Sequence, residues 1–303
     1  MKMKKKSIRC LIGVLLLLGV IALAFVPKEH AKKDASDWMA DLDDGRALKS
    51  LVIPGTHDSG ALYSIADVAG KCQSLSVKEQ LKAGVRFFDI RLQQRGEHLA
   101  VVHSFVDQLT DFEEVITDMT SFLRQHPSEF LIVSIKEDAD AINAESSFAE
   151  AVESKLLEYA DMIQTQTALD EAVGDFRGKI VIISRYAGAS IGVSAYHGWS
   201  DNTAFYLENI YVQDRYAISD IKEKQDEIVT AFDIAKDENI FTLNYISCYL
   251  TSGFPPSYAA TPAKTLNPWI RQYLQDTENV QGVILCDFMT SALAETIWRC
   301  NFK

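Results

Sequence analysis

His57 and His103 each follow an apolar run, and Asp58, Asp89, Arg91, Lys136, Arg185, Asp214, Tyr216 and Asp287 lie in or just after such runs. An imidazole with an ordinary pKa near 6.5 can take or give a proton at neutral pH, so two histidines supply one base and one acid. A guanidinium stays charged, and its planar fork matches phosphate oxygens. Together with carboxylates that fix histidine tautomers, these are the parts of an acid–base phosphoryl transfer. Taken singly, a histidine after an apolar run is more often a core residue with a satisfied hydrogen bond. Seven of eight runs ending in ionisable groups is hard to explain as packing, because a buried charge without a partner costs several kcal/mol.

The runs that must position these groups are 50–54, 86–92, 99–105, 130–135, 179–184, 210–212, 240–246 and 283–288. Most are nearly continuous Val, Ile, Leu and Phe, as expected of strands covered on both faces. Helical patterns lie between them. Ser76 and Glu79 form an S-x-x-E capping box, with Gly84 as a stop. Thr110 and Glu113 repeat the device, and Phe112, Val115, Ile116, Met119, Phe122 and Leu123 then recur at helical spacing before Pro127. A third helix is expected over Asp220 to Lys236. The alternation predicts an α/β protein with a mostly parallel sheet, and about eight strands in one domain predict a closed barrel. In such a barrel chemistry gathers at the C-terminal ends of the strands, so the ionisable groups would converge on one mouth.

The 303 residues are 48% hydrophobic and 24% charged, which supplies a core and excludes a disordered or collagen-like chain. Length allows one barrel or two ordinary domains. No second composition shift or low-complexity tract appears, so a single catalytic domain over 41–303 is expected, after a polar linker over 27–40. With 30 basic against 42 acidic residues, the formal charge of −12 argues against nucleic acid as a partner. Five cysteines stand singly without a CxxC pair, so neither a zinc cluster nor a disulfide-dense scaffold is indicated. Without Cys10, the other four can be buried thiols or form up to two bridges.

Lys2, Lys4, Lys5, Lys6 and Arg9 run into 17 uncharged residues from Cys10 to Val26, which reads as a secretory leader. As a helix that stretch reaches roughly 25 Å, slightly short of a ~30 Å hydrocarbon core. Ala22 and Ala24 form an A-x-A pattern that allows cleavage. Residues 1–26 are therefore expected to be a signal peptide, giving a secreted protein, with an uncleaved N-terminal membrane anchor as the alternative.

The run LVIPGTHDSG, the block QSLSVKEQLKAGVRFFDIRL and the VVHSF after it, with the later FLIVSIKED, KIVIISR, VQDRY and GVILCDF, resemble bacterial phosphatidylinositol-specific phospholipase C, in order from Leu51 to Phe288. The resemblance implies a distorted, incompletely closed TIM barrel. It implies a metal-independent reaction in which the inositol 2-hydroxyl attacks the neighbouring phosphodiester, releasing diacylglycerol and a cyclic inositol phosphate. By the same resemblance His57 is the general base, held by Asp287, and His103 the general acid, held by Asp89. Arg91, paired with Asp58, would neutralise the phosphoryl oxygens, where calcium-dependent relatives use metal and its carboxylate ligands; no metal or other cofactor is expected. Lys136, Arg185 and Asp214 would bind inositol hydroxyls, and Tyr216 the flat face of the ring. Glu137 and Asp138 also offer Lys136 local partners, so a structural ion pair is its other reading.

The expected partners are the phosphatidylinositol head group and, transiently, a membrane surface, with glycosyl-phosphatidylinositol anchors as a further substrate class and the enzyme acting as a monomer. Bacterial members dip tryptophan-bearing rim elements into lipid. Here residues 61–65 lack tryptophan, and the stretch from Cys248 to Tyr258, with Tyr249, Leu250, Phe254, Pro255 and Pro256, offers either a membrane-touching loop or one folded onto the barrel. His98, His126 and His197 match no motif and read as surface residues. Two other functions compete. A metal-dependent glycerophosphodiester phosphodiesterase would need carboxylate ligands in place of Arg91, and a non-catalytic inositol-lipid-binding module would not need both histidines with their carboxylates.

Overall fold

The computed structural model describes residues 34–64, 70–165, 169–252 and 258–303. The leader, the first part of the linker, Ile65, and the loop segment with Phe254, Pro255 and Pro256 lie outside the described residues. The packed unit begins at Ala35, not at 41. A 3-10 helix over Ala35–Asp41 buries Trp38 and Met39, so the last six residues read as linker belong to the packed unit.

The strands are β1 (Val52–Thr56), β2 (Phe87–Arg95), β3 (His98–His103), β4 (Val106–Asp111), β5 (Leu131–Glu137), β6 (Ile163–Gln164), β7 (Ile180–Arg185), β8 (Val193–Ser194), β9 (Ala204–Leu207), β10 (Ile210–Gln213), β11 (Ala217–Ile218), β12 (Phe241–Tyr245), β13 (Tyr249–Leu250) and β14 (Gly282–Cys286). The helices are α1 (Val77–Ala83), α2 (Phe112–Gln125), α3 (Phe148–Leu157), α4 (Val173–Phe176), α5 (Ile221–Asp237), α6 (Ala260–Asp276) and α7 (Ser291–Arg299).

Seven strands run parallel in the order β7-β5-β2-β1-β14-β12-β10. Antiparallel β9 ends the sheet on one side, and the short β6 and β8 both pair with β7 on the other. Among the described residues no ladder joins the two sides, so the barrel is open there rather than closed. The third expected strand is also not a barrel strand. β3 turns back antiparallel on the far half of β2, and β4 pairs with it in turn.

The strand side chains alternate between two cores. Ile53, Phe87, Ile132, Val181, Ile183, Val212, Leu243, Val283 and Leu285 fill the barrel interior. Their neighbours Val52, Phe88, Leu131, Val133, Ile180, Ile182 and Ile284 pack outward against α2, α3, α6 and α7. Two-sided burial of this kind is why the strands read as continuous apolar runs. Gly55 belongs to the inner set, and a Cβ there would meet Val283, Leu285 and Phe87 at 3.0–3.1 Å, so this layer needs a residue without a side chain. Trp38 and Trp298 stack at 6.2 Å and close the lower end of the barrel. Just below β2 and β5, Arg86 and Glu129 form a fully buried ion pair, and Glu129 also accepts the backbone N–H of Met39.

Helix starts follow their capping residues. Ser76 and Glu79 make the expected box at α1, and Gly84 ends it in the left-handed region at φ 100°. At α2 the cap is Asp111, which accepts from the Glu114 backbone, and not Thr110; the Thr110 hydroxyl bonds the Glu114 side chain instead. Asp220 caps α5, as the expected span requires. Among the described residues no helix is long and apolar enough to cross a membrane. The four described cysteines are free thiols, so no bridge forms.

Candidate active site

Because side chains alternate along a strand, the inner set fixes which residues point into the mouth beyond the last apolar layer. Counting by twos from Ile53, Phe87, Ile132, Val181, Val212 and Val283 reaches His57, Asp89 and Arg91, Lys136, Arg185, Asp214 and Asp287. From Leu243 the same count reaches Tyr245 and Ser247. His57, Arg91, Lys136, Arg185, Asp214, Ser247 and Asp287 line one cavity of about 540 Å³ with His103 and Tyr216. His103 arrives differently, because β3 descends antiparallel and sets its last residue back beside the barrel rim.

His57 Nδ1 bonds Asp287 Oδ1 at 2.8 Å, and Arg91 Nη2 donates to His57 Nε2 at 2.9 Å. This arrangement requires the proton on Nδ1, and the Nε2 lone pair accepts from Arg91. Burial disfavours a charged imidazole here, but Asp287 prevails over burial and over Arg91, and the His57 pKa stands above its ordinary value.

His103 Nδ1 is held by Asp58 Oδ2 in a short contact, not by Asp89. Asp89 is occupied elsewhere. Its Oδ2 accepts from Arg91 Nε and Nη2 at 3.2 Å and from the Asp58 backbone at 3.1 Å, while Arg185 Nη1 reaches its Oδ1 at 3.3 Å. Burial alone would raise the Asp89 pKa; Arg91 and Arg185 instead hold it well below the carboxylate range. Asp58 also lies 3.8 Å from Arg91, so the expected Arg91–Asp58 pairing is present but looser than the bond to Asp89. Asp58 adopts φ 44°, a left-handed turn that Asp tolerates better than most residues. The turn sends His57 and Asp58 to different partners.

Arg91 is thus ringed by Asp89, Asp58 and Asp138, the last at 3.6 Å. Burial would lower its pKa, but these carboxylates raise it well above normal, so the site keeps a fixed positive charge beside His57. Lys136 Nζ bonds Asp138, and both of its readings are compatible with its place, since it is ion-paired and still lines the cavity. Against the upward push of burial, Arg91 and Lys136 bring Asp138 down to about 2.

Across the cavity, the Arg185 guanidinium lies 3.6 Å above the Trp199 ring, and Trp199 Nε1 donates to Asp214 Oδ2 at 3.0 Å. The Tyr216 hydroxyl donates to Asp201 at 2.6 Å. Lys224, fully buried beneath this strand end, donates to Gln213 Oε1 and to the Arg215 carbonyl, and burial lowers its pKa to about 8.

All ten expected site residues therefore gather in one place. Trp199, Tyr245 and Asp138 join them, and Cys72 is buried behind His103. Tyr245 and Ser247 were within reach of the strand count, whereas Trp199 stands on an irregular loop after β8, where no periodicity points at it. His126 bonds Asp37 at the opposite end, and His98 and His197 are exposed.

Residues 54–186 match the family model described as phosphatidylinositol-specific phospholipase C, X domain. The chain is 30% identical over 221 residues to a 1-phosphatidylinositol phosphodiesterase of Staphylococcus aureus, covering 66% of this chain and 70% of that one. It is 26% identical over 276 residues to a protein of the same name from Listeria monocytogenes, covering 87% and 84%. Among solved structures, the phosphatidylinositol-specific phospholipase C from Listeria monocytogenes matches with a TM-score of 0.74 at 24% identity, over 88% of this chain and 99% of that one. A structure of the phosphatidylinositol-specific phospholipase C from Staphylococcus aureus, concerned with modulation of its membrane binding, matches with a TM-score of 0.76 at 24% identity, over 87% of this chain and 97% of that one. At these identities the structural likeness speaks to the fold.

Proposed function

The chain belongs to the phosphatidylinositol-specific phospholipase C family marked by the X domain, and from that premise we propose that it cleaves phosphatidylinositol by intramolecular phosphoryl transfer, without a metal ion. The observation that carries this reading is the pair of carboxylate-held histidines on one cavity with Arg91 beside them. As the Arg91 guanidinium turns from His57 Nε2 to the phosphoryl oxygens, His57 Nε2 takes the proton of the inositol 2-hydroxyl while that oxygen bonds to phosphorus. His103 gives its proton to the glycerol oxygen as the phosphorus–oxygen bond to diacylglycerol breaks. The products are diacylglycerol and inositol 1,2-cyclic phosphate. Arg91 neutralises the phosphoryl oxygens, and each proton transfer contributes on the order of 10²- to 10⁴-fold.

Asp58 and Asp287 hold the two histidines, and Asp89 fixes Arg91. Lys136, Arg185, Asp214 and Tyr216 receive the inositol ring, with Trp199 fixing Arg185 and Asp214. Every group named comes from one copy of the chain, which supports action as a monomer. Phe105, 80% exposed, follows the cavity residue Ser104; exposed Tyr196 lines the mouth; and exposed Tyr258 precedes Ala259 at its rim. These three supply a transient membrane contact in place of rim tryptophans. The leader-like first 26 residues support an extracellular enzyme, secreted or anchored, and an open mouth supports glycosyl-phosphatidylinositol anchors as further substrates.

The test is release of diacylglycerol from mixed micelles of phosphatidylinositol or phosphatidylcholine in excess chelator. Cleavage of phosphatidylinositol alone, abolished by His57→Ala, is expected. Cleavage only after calcium is added, or equal cleavage of both lipids, would overturn the reading.

A further inference from the structure

One buried group beside His103 takes no part in that reaction. Cys72 is 2% exposed and lies between the two histidine–carboxylate pairs. Its sulfur is 3.8 Å from His103 Nδ1, and Cys72, Asp58 and His103 bring ligand atoms within 4.8 Å of one another. The segment is firmly held: the Cys72 backbone bonds Ala61 and Phe288, and the Gln73 amide bonds the carbonyls of His57 and Cys286. Cys72 is thus stitched between the loop that carries Asp58 and the loop that carries Asp287. A second observation points to a ligand. The other Asp58 oxygen, Oδ1, is fully buried with no hydrogen-bond partner among the described residues.

We propose that Cys72, Asp58 and His103 form a capture site for a zinc-class ion, and that its occupation switches the enzyme off. Zinc–sulfur and zinc–nitrogen bonds of roughly 2.3 and 2.0 Å in a tetrahedron set sulfur and nitrogen about 3.5 Å apart, close to the spacing between Cys72 and His103. A thiolate and a carboxylate carry two negative charges, which offset the ion. The thiol proton and the proton shared between His103 and Asp58 leave to solvent on binding. Thiolate and imidazole select zinc over calcium and magnesium, which take oxygen ligands. His103, 28% exposed at its side chain, provides the way in. Captured, it can no longer donate a proton to the leaving oxygen; the switching-off therefore rests on the function proposed above, while the binding itself does not.

The experiment titrates the full chain with zinc chloride in a free-zinc buffer, reading phosphatidylinositol cleavage. In parallel, cobalt is titrated and the thiolate-to-cobalt charge-transfer band is followed. The parent is expected to lose activity as zinc is added and to show the band, while calcium and magnesium do neither. Cys72→Ser and Cys72→Ala are expected to cleave normally without zinc, to need at least tenfold more zinc for inhibition, and to lack the band. Equal zinc sensitivity in parent and variants, or an active parent with no band, would overturn the inference. Should neither variant fold, the parent's band decides alone. A band in a chain that never cleaves the lipid would leave the metal site standing and remove the function instead.

Discussion

Asp58→Asn separates the structure's assignment of the carboxylate that holds the acid from the one read along the sequence. Asp58 accepts from His103 Nδ1, and its φ of 44° is one that Asn adopts readily, so the turn survives the change. What disappears is the negative charge against the imidazolium. Two unit charges about 4 Å apart interact by about 4 kcal/mol at an effective dielectric near 20. Loss of an acid worth about 10²- to 10⁴-fold corresponds to about 3–5 kcal/mol, a range that contains the Coulomb figure. The expected fall in kcat/KM toward phosphatidylinositol is therefore on the order of 10³-fold. The leaving group supplies the diagnosis. Glycerol alkoxide needs a proton as it departs and a nitrophenolate does not, so with an inositol nitrophenyl phosphate the same variant should lose no more than about tenfold. Asp89→Asn, which loosens Arg91 and Arg185, should cost the two substrates alike. Stopped assays with both substrates decide it: an Asp58→Asn loss equal for the two leaving groups, or under fivefold for the lipid, would refute the assignment.

Trp199→Leu removes the ring under Arg185 and the donor to Asp214, contacts worth about 2 kcal/mol, so KM should rise on the order of tenfold with kcat little changed; a change in kcat alone would contradict the binding role. Glu129→Ala removes the carboxylate that pairs with buried Arg86 and should cost about 3–5 kcal/mol in urea unfolding without altering kcat of the folded enzyme; a loss under 1 kcal/mol would be inconsistent with the closed pair. Asp89 and Asp138 titrate below their unfolded values, so their stabilisation is present above about pH 4 and drains away as pH falls through the lowered folded values; for Asp138, down to about 2, it is about 2 kcal/mol. His57, with its raised pKa, stabilises below its ordinary value, and that contribution is lost as pH rises through the folded value. Urea midpoints that stayed level from pH 5 to pH 2 would contradict the Arg91 network.

All eight apolar runs are strands; in the seven of the barrel two-sided burial forces continuous hydrophobicity, and the same burial, counted by twos, sends His57, Arg91, Lys136, Arg185, Asp214 and Asp287 into the mouth. The direction of β3 was also within reach. Only six residues separate Leu92 from Leu99, too few for a parallel crossover, so that pair had to be a hairpin. The choice between Asp58 and Asp89 for His103 was not legible. Both are acidic and both border the site, and only the fold shows that Arg91 and Arg185 already hold Asp89. Trp199 and Cys72 sit on irregular segments whose position depends on chain-distant contacts, with Asp214 in one case and Phe288 in the other.

The central claim is that the substrate's own hydroxyl attacks the phosphorus, and a phosphorus NMR time course on phosphatidylinositol micelles in excess chelator tests it most directly. The account predicts that inositol 1,2-cyclic phosphate accumulates first and that inositol 1-phosphate, if it forms, follows from it. Inositol 1-phosphate appearing from the outset with no cyclic signal would mean that water, not the 2-hydroxyl, is the nucleophile, and would contradict the account.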